Sequence, residues 1–94
     1  MEKILISELK ELNEVNIIDV RKEEDYEKGY ILNAINIPKN LLMSNPDKYL
    51  DKGTKYYIYC DIGLLSREIC NSLDRDYDLV NLVGGYKKWI ETNK

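Results

Sequence analysis

The sequence contains no histidine, and this absence removes more chemistry than any other feature of the composition. Without an imidazole there is no Cys–His or Ser–His dyad, and the commonest zinc ligand is missing as well. Any nucleophile in this chain has to be activated by something other than a histidine. Cysteine is scarce too, with only Cys60 and Cys70. Two cysteines in a charged domain without an export signal read as thiols of a reducing cytosol rather than as a structural disulfide.

Long hydrophobic runs are also lacking. The N-terminal Ile4-Leu5-Ile6 meets Glu8, Lys10 and Glu11 before any apolar stretch reaches the length of a signal peptide, so the expected location is cytoplasmic, with no membrane partner. No internal repeat or low-complexity segment is present. Positive charge shows no excess: the net charge is -3 with Lys and Glu interleaved, which leaves no basic face for a phosphate backbone and argues against nucleic acid as a partner. Gly84-Gly85 is not followed by the Lys-Ser/Thr of a phosphate loop and reads as a turn.

What is present fits one globular domain over residues 1–94: 44% hydrophobic and 33% charged residues support a packed core at a length that leaves little room for a second. Strand and helix patterns alternate along the chain. Short apolar or β-branched runs at 4–6, 16–20, 34–37, 56–59 and 79–82 predict five strands. Between them, Ser7 is placed to cap a helix with Leu9 and Leu12 on its inner side, and 22–28 has acids early, Lys late and a Gly29 stop. The stretch 41–50, broken by Asn45-Pro46-Asp47, predicts one or two helical turns; 66–73 has helical spacing; Tyr86, Trp89 and Ile90 share one side of a closing helix. This alternation predicts an α/β fold, a small doubly wound, mostly parallel five-stranded sheet with helices on both faces.

Cys60 falls between the strand at 56–59 and the helix beginning near Ser66. Ligands of open α/β sheets bind at the carboxyl ends of strands, and the free N–H groups of a helix N-terminus favour an anionic sulfur. The dipole alone, about 0.3–1 kcal/mol, lowers a thiol pKa by less than about one unit, and Asp61 opposes it. Cys70, on the apolar side of the same helix with Ile69 and Leu73, reads as core packing rather than as a resolving thiol. The tyrosines at 56, 57 and 59 fit strand propensity, Trp89 reads as a core anchor, and Glu23-Glu24-Asp25 reads as a solvated first helical turn rather than a metal site.

Four segments in order resemble the rhodanese, or thiosulfate sulfurtransferase, superfamily over nearly the whole chain. They are Asp19-Val20-Arg21 with Asp25-Tyr26-Glu27-Lys28-Gly29-Tyr30-Ile31; Ala34-Ile35-Asn36-Ile37-Pro38; Tyr59-Cys60-Asp61-Ile62-Gly63-Leu64-Leu65-Ser66; and Val80-Asn81-Leu82-Val83-Gly84-Gly85-Tyr86 with Trp89. The resemblance implies a double-displacement sulfur transfer through a Cys60 persulfide. Cys60 is the catalytic residue, and the loop and helix start of Asp61, Ile62, Gly63, Leu64, Leu65, Ser66 and Arg67 form the substrate-binding segment. No metal and no cofactor is needed, and the implied partners are a small sulfur donor, thiosulfate or a persulfide, and a thiol or protein acceptor. Leu65 stands where the family often has Arg, which weakens the expected capture of thiosulfate and shifts the expected donor or acceptor towards a protein or organic persulfide; Arg67, Lys87 and Lys88 are the cations left to compensate. Tyr30 stands where the family usually has His and is assigned to packing. The competing reading is a non-catalytic module of the same fold that binds a protein partner through the apolar loop. A Cys-x5-Arg phosphatase loop would need Arg at position 66, which is Ser66.

Overall fold

The Tyr-rich run becomes the strand on which the rest is built. In the computed structural model, which describes residues 1–93, β4 (Lys55–Tyr59) lies at the centre of a five-stranded sheet. Around it the strands run β1 (Glu2–Leu5), β5 (Asp78–Val83), β4, β2 (Asn16–Asp19) and β3 (Ile35–Asn36). Every pairing is parallel. Parallel neighbours require crossovers, and the helices α1 (Ile6–Leu9), α2 (Glu23–Lys28), α3 (Lys39–Ser44), α4 (Pro46–Tyr49) and α5 (Leu64–Leu73) lie in the connecting segments, while α6 (Gly85–Thr92) follows the last strand.

The pleat of β4 divides the core in two. Tyr56 and Ile58 point to a cluster with Leu42, Ile69, Cys70 and Leu79, while Tyr57 and Tyr59 point to a second cluster with Ile6, Leu9, Ile31 and Leu82. Ile18 and Ile17 on β2 divide in the same way, so both faces of the sheet are covered, as the uninterrupted apolar runs require.

Several local expectations change. Ser7 does not cap α1: the helix starts at Ile6, with Leu5 as N-cap, and the Glu8 carboxylate reaches back to accept the Leu5 N–H at 3.0 Å, the carboxylate half of a capping box. That helix is a single turn, so Leu12 lies beyond it and is 38% exposed. The strand expected at 34–37 shrinks to Ile35–Asn36, because the Asn36 side-chain amide donates to the carbonyls of Asp19 (2.9 Å) and Arg21 (3.0 Å) and ties the edge down without a longer ladder. Ile90 is exposed: one residue beyond Trp89 is about 100° around the helix and leaves the inward stripe. The helix expected at 66–73 starts two residues earlier, at Leu64, with Gly63 in the left-handed region (φ +95°) turning the chain into it. That shift puts Leu64, Leu65 and Ser66 in the first helical turn and reduces the loop after β4 to Cys60-Asp61-Ile62-Gly63.

Candidate active site

Cys60 leaves the end of β4 as its side chain points to the α5 side of the sheet, where it is 3% exposed. Its Sγ receives two main-chain N–H groups, from Gly63 at 3.3 Å and from Ser66 at 3.4 Å. Both belong to the opening of α5, whose first N–H groups have no partner within the helix and are therefore free to face a sulfur. The thiol itself lies 3.5 Å from Ser66 Oγ.

The loop carbonyls are drawn the other way. Tyr86 N–H donates to the Cys60 carbonyl and Lys87 N–H to the Asp61 carbonyl, each at 2.9 Å, so the start of α6 takes the two oxygens that would otherwise be free to turn toward the sulfur. This needs close approach at Gly85, which has φ +58° and whose missing Cβ would fall onto the Cys60 carbonyl oxygen and lie 2.8 Å from that of Asp61. The Gly84-Gly85 turn thus shapes the site from outside it.

Above the sulfur is a cleft of about 640 Å³. Of the residues expected at the site, Cys60, Asp61, Ile62, Leu64 and Leu65 line it. Gly63 and Ser66 are buried beneath, contributing their N–H groups. Arg67 does not join them: it is exposed and outside the lining, and its N–H makes an ordinary helical bond to the Gly63 carbonyl at 3.2 Å. Lys87 and Lys88 are also outside the lining, the latter 3.9 Å from Glu91. The cations that do reach the cleft are Arg21, Lys22 and Lys39, from the end of β2 and the start of α3. Their distance from Cys60 in the chain hides them from the sequence, where the Asp19-Val20-Arg21 segment is the one signal.

Arg21 is not free to bind an anion. Its Nε and Nη2 donate to Asp19 (2.7–3.0 Å) and Nη2 also to the Gly29 carbonyl at 2.7 Å, while its Nη1 lies 3.6 Å from Asp61 and its guanidinium stacks 4.2 Å from the Tyr86 ring centre. Burial works against this charge, but the hydrogen bond and field of Asp19 outweigh it and hold the guanidinium above its ordinary pKa. Tyr59 donates to the same carboxylate at 2.6 Å and accepts the Ile31 N–H at 3.1 Å; burial, then Asp19, pushes its phenol upward, so it stays neutral. Tyr59 is therefore more than a strand former. Asp19, fully buried, ties β2, β4 and the turn before Ile31 into one rigid wall, and Asp61 is drawn toward Arg21. Tyr30, expected to serve packing or loop support, is 47% exposed and stacks on Tyr26 with ring centres 4.2 Å apart.

Comparison with known proteins places this geometry in context. The Rhodanese-like domain family model matches residues 3–92. The chain is 33% identical over 75 residues to the uncharacterized protein YqhL of Bacillus subtilis, covering 78% of this chain and 59% of that protein, so it spans less than two thirds of that relative. It is 29% identical over 84 residues to the thiosulfate sulfurtransferase GlpE of Coxiella burnetii, covering 87% of this chain and 78% of GlpE. Among solved structures, a rhodanese-related protein from Thermoplasma volcanium superposes with a TM-score of 0.89 at 30% identity, covering 98% of this chain and 93% of that one.

Proposed function

From the premise that this chain belongs to the rhodanese-like domain family, we propose that it moves sulfane sulfur through a persulfide on Cys60. A sulfurtransferase-type role holds at the level of the family, through relatives such as GlpE. The observation that carries the finer reading is the sulfur at the base of an open cleft with the Gly63 and Ser66 N–H groups aimed at it.

The chemistry is a double displacement. The Cys60 thiolate attacks the outer sulfur of a donor; the donor's S–S bond breaks and its electron pair leaves with the departing thiolate or sulfite. The product is Cys60–S–S⁻. An acceptor nucleophile then takes the outer sulfur, and the pair of the broken bond returns to Cys60. Fixed N–H dipoles hold negative charge on sulfur without reorganising, which is what a chain lacking histidine requires. The walls formed by Ile62, Leu64 and Leu65, with Ile62 and Leu64 each 53% exposed, suit a donor or acceptor with an apolar part better than thiosulfate. Lys22 and Lys39 provide positive charge at the rim.

Intact mass after incubation with thiosulfate and with organic persulfides tests the reading. One added sulfur atom is expected, more readily from the organic donor, and none in Cys60→Ser. A chain that takes up no sulfur from any donor, yet still captures a protein partner when Cys60 is Ser, would instead be a binding module.

A further inference from the structure

Beneath the sulfur lies a buried polar pair that the transfer chemistry does not use. Asn81, on β5 beside β4, is 4% exposed, and Ser66, in the first turn of α5, is fully buried. The hydrogen bonds between them fix which atom donates. The Asn81 amide nitrogen donates to the Gly63 carbonyl at 3.3 Å; that oxygen can only accept, so the amide is oriented with Nδ2 toward it and Oδ1 toward Ser66. Asn81 Oδ1 likewise can only accept, so the Ser66 hydroxyl must donate to it, at 2.5 Å. A hydroxyl has one proton. With that proton held by Asn81, Ser66 Oγ presents a lone pair to Cys60 at 3.5 Å, a good partner for S–H and a poor one for S⁻.

We propose that Asn81 is a positioning residue that competes with the Cys60 sulfur for the Ser66 hydroxyl proton and thereby sets how readily the thiolate forms. Ionisation of Cys60 offers two outcomes, each with a cost. Either Ser66 keeps its proton on Asn81 and turns a lone pair to the anion, or it turns the proton to sulfur and leaves Asn81 Oδ1 buried without a donor. The other charged or titratable groups around the sulfur are Asp61 in the loop, Arg21 at the end of β2, Asp25 on α2, Lys22 and Lys39 at the rim, and Cys70 behind it on α5. None of them shares the Ser66 proton. The inference rests on Cys60 being the reacting sulfur, and it makes Asn81 of β5 part of the active site.

The test is iodoacetamide alkylation of Cys60 across pH in the wild type, Asn81→Leu, Ser66→Ala and the double variant. Leu fills a similar volume without an acceptor, and the Gly63 carbonyl retains the Arg67 N–H. Freed of Asn81, the hydroxyl chooses between the Gly63 carbonyl, 3.3 Å away, and the sulfur; a charge-assisted bond to S⁻ outweighs the neutral one, so alkylation near neutral pH should rise roughly three- to tenfold in Asn81→Leu. The alkylation profile should move to lower pH. In the Ser66→Ala background the same change should do nothing, because no hydroxyl remains to redirect. A brace of purely structural kind would alter both backgrounds equally, and that result, or slower alkylation in Asn81→Leu, overturns the proposal. A readout without variants covers misfolding: the Asn81 side-chain amide signals in NMR should shift with Cys60 ionisation in the wild type and stay fixed in Cys60→Ser. Signals that ignore Cys60 ionisation overturn the proposal as well. Alkylation does not depend on sulfur transfer, so failure of sulfur uptake would defeat the proposed function while leaving this competition measurable.

Discussion

Cys60 and Cys70 occupy one hydrophobic cluster and are almost equally hidden, 3% and 0% exposed, yet the surroundings of the two sulfurs are opposite. Cys70 lies in the interior of α5, where every nearby N–H is spent on the helix itself. Burial, with Asp74 adding to it, pushes its thiol up to about 12. Cys60 lies where strand gives way to helix, under a cleft, and the N–H groups of Gly63 and Ser66 face its sulfur. Residue exposure does not distinguish the two sulfurs; main-chain N–H groups facing the sulfur and an opening above it do.

Exchanging the two cysteines in turn is the most direct attack on that contrast and should give the largest effect. Cys60→Ser should abolish sulfur uptake. Cys70→Ala should retain it, at a cost of about 1–2 kcal/mol in chemical denaturation for the lost packing. Equal loss in both variants would mean that the second thiol takes part as a resolving group. Gly85→Ala attacks the same contrast from the far side of the loop. An added Cβ would press on the Cys60 and Asp61 carbonyl oxygens at a φ that only glycine adopts easily, so the start of α6 must back away. Sulfur uptake should fall by roughly tenfold or more, with a loss of stability of about 1–3 kcal/mol. A Gly85→Ala protein with unchanged uptake would show that the docking of α6 is not what orients the loop.

The parallel sheet was legible because buried parallel strands announce themselves: β2, β4 and β5 are short β-branched or aromatic runs alternating with helices, whereas the order β1-β5-β4-β2-β3 is visible only in the structure. Cys60 was legible for the same reason, being the residue after the clearest strand. Less visible was everything that depends on two distant segments meeting. Arg21 and Lys39 reach the cleft from β2 and α3; Asn81 reaches the Gly63 carbonyl and the Ser66 hydroxyl from β5; Tyr59 looked like strand propensity until Asp19 was found against its hydroxyl. Residue type marked each of these only as polar or aromatic. For Asn81 and Tyr59 the partner that gives the residue its role is 15 and 40 positions away. Arg67 shows the reverse case: near Cys60 in sequence, it turns to solvent once α5 begins at Leu64.

The missing loop cation sharpens the contrast in substrate terms. Leu65 lines the cleft from the first turn of α5, so Leu65→Arg introduces on the wall above Cys60 a guanidinium that, unlike Arg21, starts without a carboxylate partner of its own. A charge-assisted contact to an anionic donor supports a gain of about tenfold in kcat/KM for thiosulfate. Use of an organic persulfide should change little or fall, since the apolar wall is interrupted. If the thiosulfate rate does not move, the preference is set elsewhere in the cleft, with Lys22 and Lys39 the next residues to substitute.

The smallest effect concerns the packing thiol and alkaline pH. Cys70 ionises at about 12 in the folded protein against an ordinary 9.0, so the folded state favours its protonated form. Its contribution to stability is whole below 9.0 and is lost as pH rises toward about 12, because the unfolded chain releases a proton that the folded chain retains. Tyr59, also raised, acts in the same direction above its ordinary 10.0. Denaturation midpoints measured from pH 8 upward should therefore fall, by at most about 1.4 kcal/mol per pH unit for each such group. Cys70→Ala should flatten the part of that slope between pH 9 and 10, where the tyrosine has not yet entered. The asymmetry between the two sulfurs would then appear in equilibrium stability as well as in reactivity; parallel slopes in the wild type and Cys70→Ala would show that burial of Cys70 does not hold its proton.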